Sequence, residues 1–311
     1  MNIAQLQYII TLNHYQSFSL AAEKNHVTQP TLSTQVRKLE EELGVTLFDR
    51  ESHPLVPTAV GVQVIEQAKT IVAEINSLRE IAESHNNIIS GSLKVAVIPT
   101  LAPYLVPYFL GPFLREFPEV ALKITEEKTE NIVSGLKNQE FDAGIAATPI
   151  NDPGIDTEPI FYEKLLCYMN HDMSPGYSNK VRVEDILESK VWVLAEGNCL
   201  RTQVFNLCNM AQLYHRDLEM DYESGSIETL MKLADREGGS TLIPELATLD
   251  LDEERLGQVK FIGDQNPVRE ISLMSRPRSH KARLFEVLSQ TIRENLPPQI
   301  QENKQDFLVP I

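Results

Sequence analysis

Apolar positions near the start of the chain recur at helical intervals. Leu6, Ile9, Ile10 and Leu12 form one stripe, and Ser17 and Ser19 offer caps for a short helix through Ala21 and Ala22. Thr28-Gln29-Pro30 opens a third helix, with proline in the first turn, where its missing N–H costs nothing. Val36, Leu39 and Leu43 run down the buried face of that helix, and Gly44 ends it. Leu47, Phe48 and the segment Arg50 to Thr58, with Pro54 and Pro57, read as a short hairpin or wing. Residues 1–58 are therefore expected to be an all-α winged helix-turn-helix domain.

A long helical pattern follows from Ala59 to about Asn86. Ala68, Ile75 and Ala82 recur at intervals of seven, with Ile65, Ile71 or Val72, and Leu78 between them. Such spacing suits a linker helix that pairs with a second helix; the alternative is a helix packed on its own domain. Ile88-Ile89-Ser90-Gly91-Ser92 reads as a hinge. The period then changes. Leu93–Ile98, Val120–Thr125 and Ala143–Ala146 read as strands alternating with helices that open at Pro99-Thr100 and at Asn131. Val191–Leu194 and Thr241–Ile243 are later strands of the same kind, so a mainly parallel α/β sheet is expected. Leu296 to Ile311 is expected to be poorly ordered.

Composition narrows the function classes. The chain has 311 residues, 42% of them hydrophobic, and a formal net charge of −16. The charge alone argues against nucleic acid, yet Thr28 to Leu39 holds Arg37 and Lys38 and no acid, which leaves room for a local positive face. No apolar run is long enough to span a bilayer, and the first residues lack the basic and apolar regions of a signal peptide, so a cytoplasmic location and no membrane partner are expected. Three cysteines cannot form a secreted disulfide framework. There is no phosphate-binding glycine loop, no metal-spaced His/Cys cluster and no nucleophile elbow. No cofactor, no metal and no enzymatic turnover are expected.

Cys199 and Cys208 stand nine positions apart. If the stretch is helical, a rise of roughly 1.5 Å per residue separates their Cα atoms by about 13 Å. A disulfide needs Cα atoms within roughly 7 Å, so the two sulfurs join only if the helix is rebuilt. That behaviour is what a redox switch requires. Asn198 would cap the helix and set Cys199 in its first turn, at the positive end of the dipole and near Arg201, where thiolate is favoured. Oxidation to sulfenic acid and condensation with Cys208 would follow. The competing reading is that both are small core residues, as free cysteines generally are. Cys167, flanked by apolar residues, reads as a buried strand position without a role.

The residues Ala22…Gln29-Pro30-Thr31-Leu32-Ser33…Gln35…Leu39-Glu40…Leu43-Gly44…Leu47-Phe48…Arg50 resemble the signature of LysR-type transcriptional regulators. The resemblance implies an N-terminal winged helix-turn-helix, a linker helix and a two-lobed regulatory domain resembling the periplasmic binding proteins. The expected layout is residues 1–58 for DNA binding, 59–89 for the linker helix, 90–300 for the regulatory domain and 301–311 for a tail. Within the regulatory domain, lobe I would take about 91–163 and 265–300, and lobe II about 164–264.

Gly197-Asn198-Cys199-Leu200-Arg201…Gln203…Cys208 is similar to the redox segment of the peroxide-sensing members of that family. Ile98-Pro99-Thr100, Thr129 and Arg269-Glu270-Ile271-Ser272-Leu273 match positions around the reactive cysteine of those members. The resemblance implies that Cys199 is peroxidatic and Cys208 resolving. Thr100 and Thr129 would hydrogen-bond a peroxide, and Arg269 would stabilise the thiolate. Two departures stand out: Asn198 and Asp221 occupy positions often filled by histidine, and His215 does not align with either.

Residues Pro30 to Glu42 form the candidate recognition helix. Gln29, Pro30, Thr31, Ser33 and Thr34 lie near its start, Arg37 and Lys38 along it, and Arg50 and His53 in the wing, where they suit base-edge or phosphate contact with double-stranded DNA. The resemblance implies a homodimer or tetramer, RNA polymerase as a partner, and a thiol reductant for reset. The rivals are a metabolite-responsive member of the family with structural cysteines, a thiol peroxidase, and a solute-binding protein.

Overall fold

In a computed structural model the described residues are 1–52, 54–84, 89–170, 179–208, 224–263, 267–277, 279, 281–301 and 307–311. His53, His215 and Asp221 lie outside them. The chain divides into two units, Met1–Ile88 and Ile89–Ile311.

Among the described residues, four helices and a small hairpin build the first unit. Helix α1 (Ile3–Tyr15) begins at a capping box in which Asn2 and Gln5 satisfy each other's backbone N–H groups. Helix α2 (Phe18–Lys24) is capped by Ser17, whose hydroxyl accepts from the Leu20 N–H. Helix α3 (Gln29–Leu43) carries Pro30 in its first turn and ends at Gly44, whose φ of +69° favours glycine. Strands β1 (Phe48–Asp49) and β2 (Val56–Pro57) pair antiparallel as the wing. Helix α4 (Ala59–Ser84) follows. Leu6, Ile9, Leu12, Leu32, Val36, Leu39, Phe48, Ile65 and Ala68 are buried together in one core.

The second unit begins with two parallel crossovers. Strand β3 (Gly91–Val97), helix α5 (Ala102–Glu116), strand β4 (Val120–Glu126), helix α6 (Thr129–Lys137) and strand β5 (Ala143–Thr148) put β4 and β5 parallel on either side of β3. Strand β6 (Asp156–Met169) then runs through both halves of the sheet system. Beyond it come β7 (Lys180–Val181), α7 (Val183–Glu188), β8 (Val191–Trp192), α8 (Cys199–Cys208), α9 (Ile227–Glu237) and β9 (Ser240–Pro244). A 3₁₀ turn at Glu245–Thr248 leads to α10 (Glu253–Leu256) and β10 (Val259–Ile262). The chain finishes with β11 (Pro267–Ser275), α11 (Ala282–Asn295), α12 (Pro298–Gln301) and β12 (Phe307–Leu308).

The sheet system is mixed rather than mainly parallel. Strand β11 pairs antiparallel with both β5 and β6, and the outer part of β6 pairs antiparallel with β9 and β10. Two long strands passing between two α/β lobes must run antiparallel to each other, which alternation of strand and helix does not reveal. Helix α5 opens at Ala102, later than expected, because Leu101 and Ala102 both donate to the Ile98 carbonyl and make Pro99-Thr100 a turn.

The C-terminal residues depart furthest from expectation. Residues 302–306 lie outside the described set, but β12 pairs parallel with β11 through Phe307↔Pro267 and Leu308↔Val268. The Val309 N–H donates to the Val268 carbonyl at 2.9 Å, and Val309 is 1% exposed. Strand β6 occupies one edge of β11 as far as Val268, and β5 leaves the other at Glu270, so an edge remains open for five residues that would otherwise carry no structure. Burial of Val309 and Ile300 secures that stretch.

A candidate redox site and a candidate DNA-binding face

Cys199 is the first residue of α8 and is 8% exposed. The loop before it is held from two sides. The Asn198 amide donates to the Ala195 carbonyl at 2.9 Å, and Lys128 Nζ donates to the Glu196 carbonyl at 2.9 Å. Between them Gly197 has φ +81°, and a Cβ there would press on the Lys128 side chain. Lys128 is the cap position of α6, so the turn that begins α6 is tied to the turn that begins α8. Thr129, the next residue, buries its Oγ1 with no hydrogen-bond partner among the described residues.

Thr100 and Arg269 are brought together directly. Arg269 is 0% exposed; its Nη1 donates to Thr100 Oγ1 at 3.3 Å and its Nη2 to the Thr100 carbonyl at 3.2 Å. The same guanidinium donates from Nε at 2.8 Å, and approaches through Nη2 at 2.7 Å, to Glu163 Oε1. Glu163 is also 0% exposed, and its Oε2 accepts the Leu246 N–H at 3.3 Å. Burial pushes the Glu163 carboxyl above its ordinary range, and Arg269 opposes that push. The charge of Arg269 is thus largely met by Glu163, and its visible work is to fix Thr100. Glu163 was not among the expected site residues. Its partner lies more than a hundred positions away, and only the irregularity of a carboxylate within an apolar strand marked it.

Arg201 is also engaged elsewhere than expected. Its Nη1 donates to the Leu194 carbonyl at 2.7 Å, which ties the helix to the segment after β8, and its guanidinium stacks 4.9 Å from the Phe205 ring of the same helix. Position 208 is the last residue of α8, so an unbroken ten-residue helix joins the two cysteine positions. Cys199 belongs to the same continuous apolar cluster as Leu101, Leu105 and Ile145 of one half of the sheet and Leu194, Leu200 and Ile227 of the other. Tyr104 on α5 reaches Glu228 on α9 at 3.4 Å, and burial followed by that carboxylate raises its hydroxyl pKa. Cys167 is buried in β6, a member of a different apolar cluster from that of Cys199. Among the described residues, no three His, Cys, Asp or Glu side chains are grouped to hold a metal ion.

On the first unit, Gln29, Pro30, Thr31, Thr34, Arg37 and Lys38 lie exposed along α3, with Ser33 half-buried. Thr28 and Thr31 share a hydroxyl–hydroxyl bond of 2.8 Å, and Arg37 is 3.5 Å from Glu41. Arg50, expected to meet phosphate, donates from Nη2 to Glu40 Oε2 at 2.7 Å and lies 5.8 Å from the Phe18 ring, yet its side chain stays 43% exposed. Glu40 in turn accepts the Leu47 N–H at 2.8 Å through Oε1. A single buried carboxylate therefore ties α3 to the start of the wing. His53 lies outside the described residues.

Comparisons with known proteins agree with both halves. Residues 3–62 match the family of bacterial regulatory helix-turn-helix proteins of the lysR family, and residues 87–297 match the LysR substrate binding domain. The chain is 34% identical over 302 residues to the hydrogen peroxide-inducible genes activator of Pectobacterium carotovorum, covering 95% of this chain and 97% of that protein. It superposes on a full-length OxyR from Pseudomonas aeruginosa in which a cysteine is changed to aspartate, with TM-score 0.76, 31% identity and coverage of 95% and 99%. It also superposes on a hydrogen-peroxide-bound cysteine mutant of OxyR from Corynebacterium glutamicum, with TM-score 0.62, 26% identity and coverage of 94% and 92%.

Proposed function

The chain belongs to the LysR family of bacterial transcriptional regulators, and from that premise we propose that it is an OxyR-like regulator that senses hydrogen peroxide through Cys199 and Cys208. The observation that carries this reading is α8, a helix with a cysteine at each end whose first member is buried at a tethered turn. Likeness over 95% of the chain to a peroxide-inducible activator supports it.

In this reading the Cys199 thiolate attacks one oxygen of the peroxide. The O–O bond breaks, hydroxide leaves and is protonated to water, and the sulfur becomes sulfenic acid. The Cys208 thiol then gives up its proton, attacks that sulfur and displaces hydroxide, yielding a disulfide and a second water. Thr100 and Thr129 present hydroxyls to the peroxide; Arg269 acts by holding Thr100 in place while Glu163 neutralises most of its charge. Joining the sulfurs requires α8 to unwind, because its ends are about 13 Å apart at roughly 1.5 Å per residue. The rebuilt segment and the helix are the two arrangements of a bistable element that changes how copies of the chain assemble on DNA.

Exposed residues of α3 read operator DNA, with Arg50 and, outside the described residues, His53 as further contacts. Binding as a homodimer or tetramer to dyad-related sites, contact with RNA polymerase, reset by a thiol reductant and a cytoplasmic location complete the reading. Among the described residues no helix is long and apolar enough to cross a membrane.

The test is to give the reduced protein one equivalent of hydrogen peroxide and map its cysteines by mass spectrometry. A rapid Cys199–Cys208 disulfide with Cys167 still a thiol is expected. Cys199→Ser should abolish it together with the peroxide-dependent change in DNA binding. No reaction, or pairing through Cys167, would leave a metabolite-responsive regulator with structural cysteines.

A further inference from the structure

The residues between the two cysteines are held by the C-terminal strand. Gln203 is 0% exposed, and its Nε2 donates to the Val309 carbonyl at 3.2 Å. Asn206 Nδ2 donates to the Pro310 carbonyl at 3.0 Å. At about 100° per residue, positions 199, 203 and 206 share one face of α8, whereas position 208 lies roughly half a turn away round the axis. The carbonyls that receive these amides belong to a segment fixed on its other side, through the Val309 N–H to Val268 and the pairing of β12 with β11. Arg269, the neighbour of Val268, is the residue that holds Thr100.

We infer that residues 307–311 form a strap that holds α8 helical, and that Gln203 and Asn206 are the positioning residues through which it sets how readily Cys199 and Cys208 join. The inference rests on the redox reading above. Both amides lie strictly between the two sulfurs, so α8 cannot unwind far enough to bring position 208 to position 199 without moving them. Unwinding therefore breaks the two amide–carbonyl bonds or pulls the strap from β11. Either route adds the loss of those bonds to the free energy of disulfide formation, in which two thiols are oxidised by one peroxide that is reduced to two waters. Gln203 also bears an Oε1 that accepts no hydrogen bond among the described residues. Unwinding lets water reach that oxygen, which offsets part of the cost and keeps the helix and the rebuilt segment close in free energy.

The two positions differ in a way that makes the test clean. Asn206 is exposed, so Asn206→Ala removes one strap bond without opening the core. The experiment equilibrates the full-length protein with graded ratios of oxidised to reduced glutathione and measures the fraction of Cys199–Cys208 disulfide by mass spectrometry. Loss of one bond of ordinary net strength should shift the dithiol–disulfide equilibrium toward disulfide by about five-fold. A variant truncated after residue 306 should shift it further in the same direction, and Asn206→Gln should return part of the effect. As a second readout, hydrogen exchange at 307–311 should speed up at least several-fold when the wild-type protein is oxidised, with β3 and β4 unchanged. Disulfide formation in the wild type with the same equilibrium in Asn206→Ala, and no change in exchange at 307–311, would overturn the strap alone. Absence of the disulfide in the wild type would overturn the redox reading and the strap with it.

Discussion

Arg269 and Glu163 show how much of a site can rest on one buried pair. Each ion would be costly alone, and the pair persists because the guanidinium and carboxylate also bond Thr100 and the Leu246 N–H. Replacing Arg269 with methionine keeps the volume and strands the carboxyl, which should cost about 3–5 kcal/mol at neutral pH. The sign of the pH dependence follows from burial, which raises the Glu163 pKa in the folded state. A raised acid holds its proton more tightly folded than unfolded, so stability falls as pH climbs through the carboxylate range and recovers as pH drops. With Arg269 present that slope is strongly opposed; in Arg269→Met only the Leu246 N–H opposes it. Urea midpoints for variant and wild type should therefore differ more at about pH 7.5 than at about pH 5. Equal differences at both would mean that Arg269 does not change the charge state of Glu163. Thr100 and Arg269 were expected, through the family resemblance, as separate site residues. Their bond to each other and to Glu163 was not, because a pair 106 positions apart leaves no local pattern.

Among the elements, the wing depends on a residue of α3 in the same manner. Glu40 lies on the buried side of that helix and accepts the Leu47 N–H and the Arg50 guanidinium, so it sets where the wing begins. Glu40→Ala should destabilise the first unit by about 1–3 kcal/mol, the cost of leaving a buried donor unmet. It should also weaken DNA binding beyond what that loss of stability explains, because Arg50 would no longer be held. Glu40→Gln, which keeps an acceptor for Leu47, should retain more of both. Operator affinity measured well below the melting temperature checks this; unchanged affinity in Glu40→Ala would show that the wing is placed by β1 and β2 alone. The helices themselves were legible because their periodicity, caps and terminal glycine act locally, as Ser17 and Gly44 illustrate. Strands β6, β11 and β12 were not, since a strand that crosses between sheets, or fills the end of an edge, is defined by partners distant in sequence.

For the whole molecule the open question is how an acidic chain, with a net charge of −16, is concentrated onto DNA. Arg37 and Lys38 are exposed on α3, with Arg37 3.5 Å from Glu41, and a protein that neutralises few phosphates binds DNA weakly as a single copy. Two copies joined rigidly multiply the effect without new contacts, because the second recognition helix then binds at high effective concentration. The spacing of helix α4 was expected to suit pairing with a second helix. The sevenfold apolar pattern expected of it divides in the structure. Ile65 and Ala68 are buried in the core of their own unit, whereas Leu78 is 71% exposed beside Ile71 and Ile75 on a groove that also takes in Gln67, Thr70 and Glu74. The first half of the helix thus belongs to its domain, and the later part carries a leucine that the described residues leave largely exposed. A lysine there keeps helix propensity but places a charge where a second helix would pack. Leu78→Lys should reduce the solution mass measured by ultracentrifugation to that of smaller assemblies, while leaving the melting of the first unit nearly unchanged. Affinity for a full dyad operator should fall by at least ten-fold and affinity for a half-site should not, since only the linked binding is lost. Unchanged mass and operator affinity would assign the joining of copies to the second unit, and the apolar groove of α4 would then have no part in assembly.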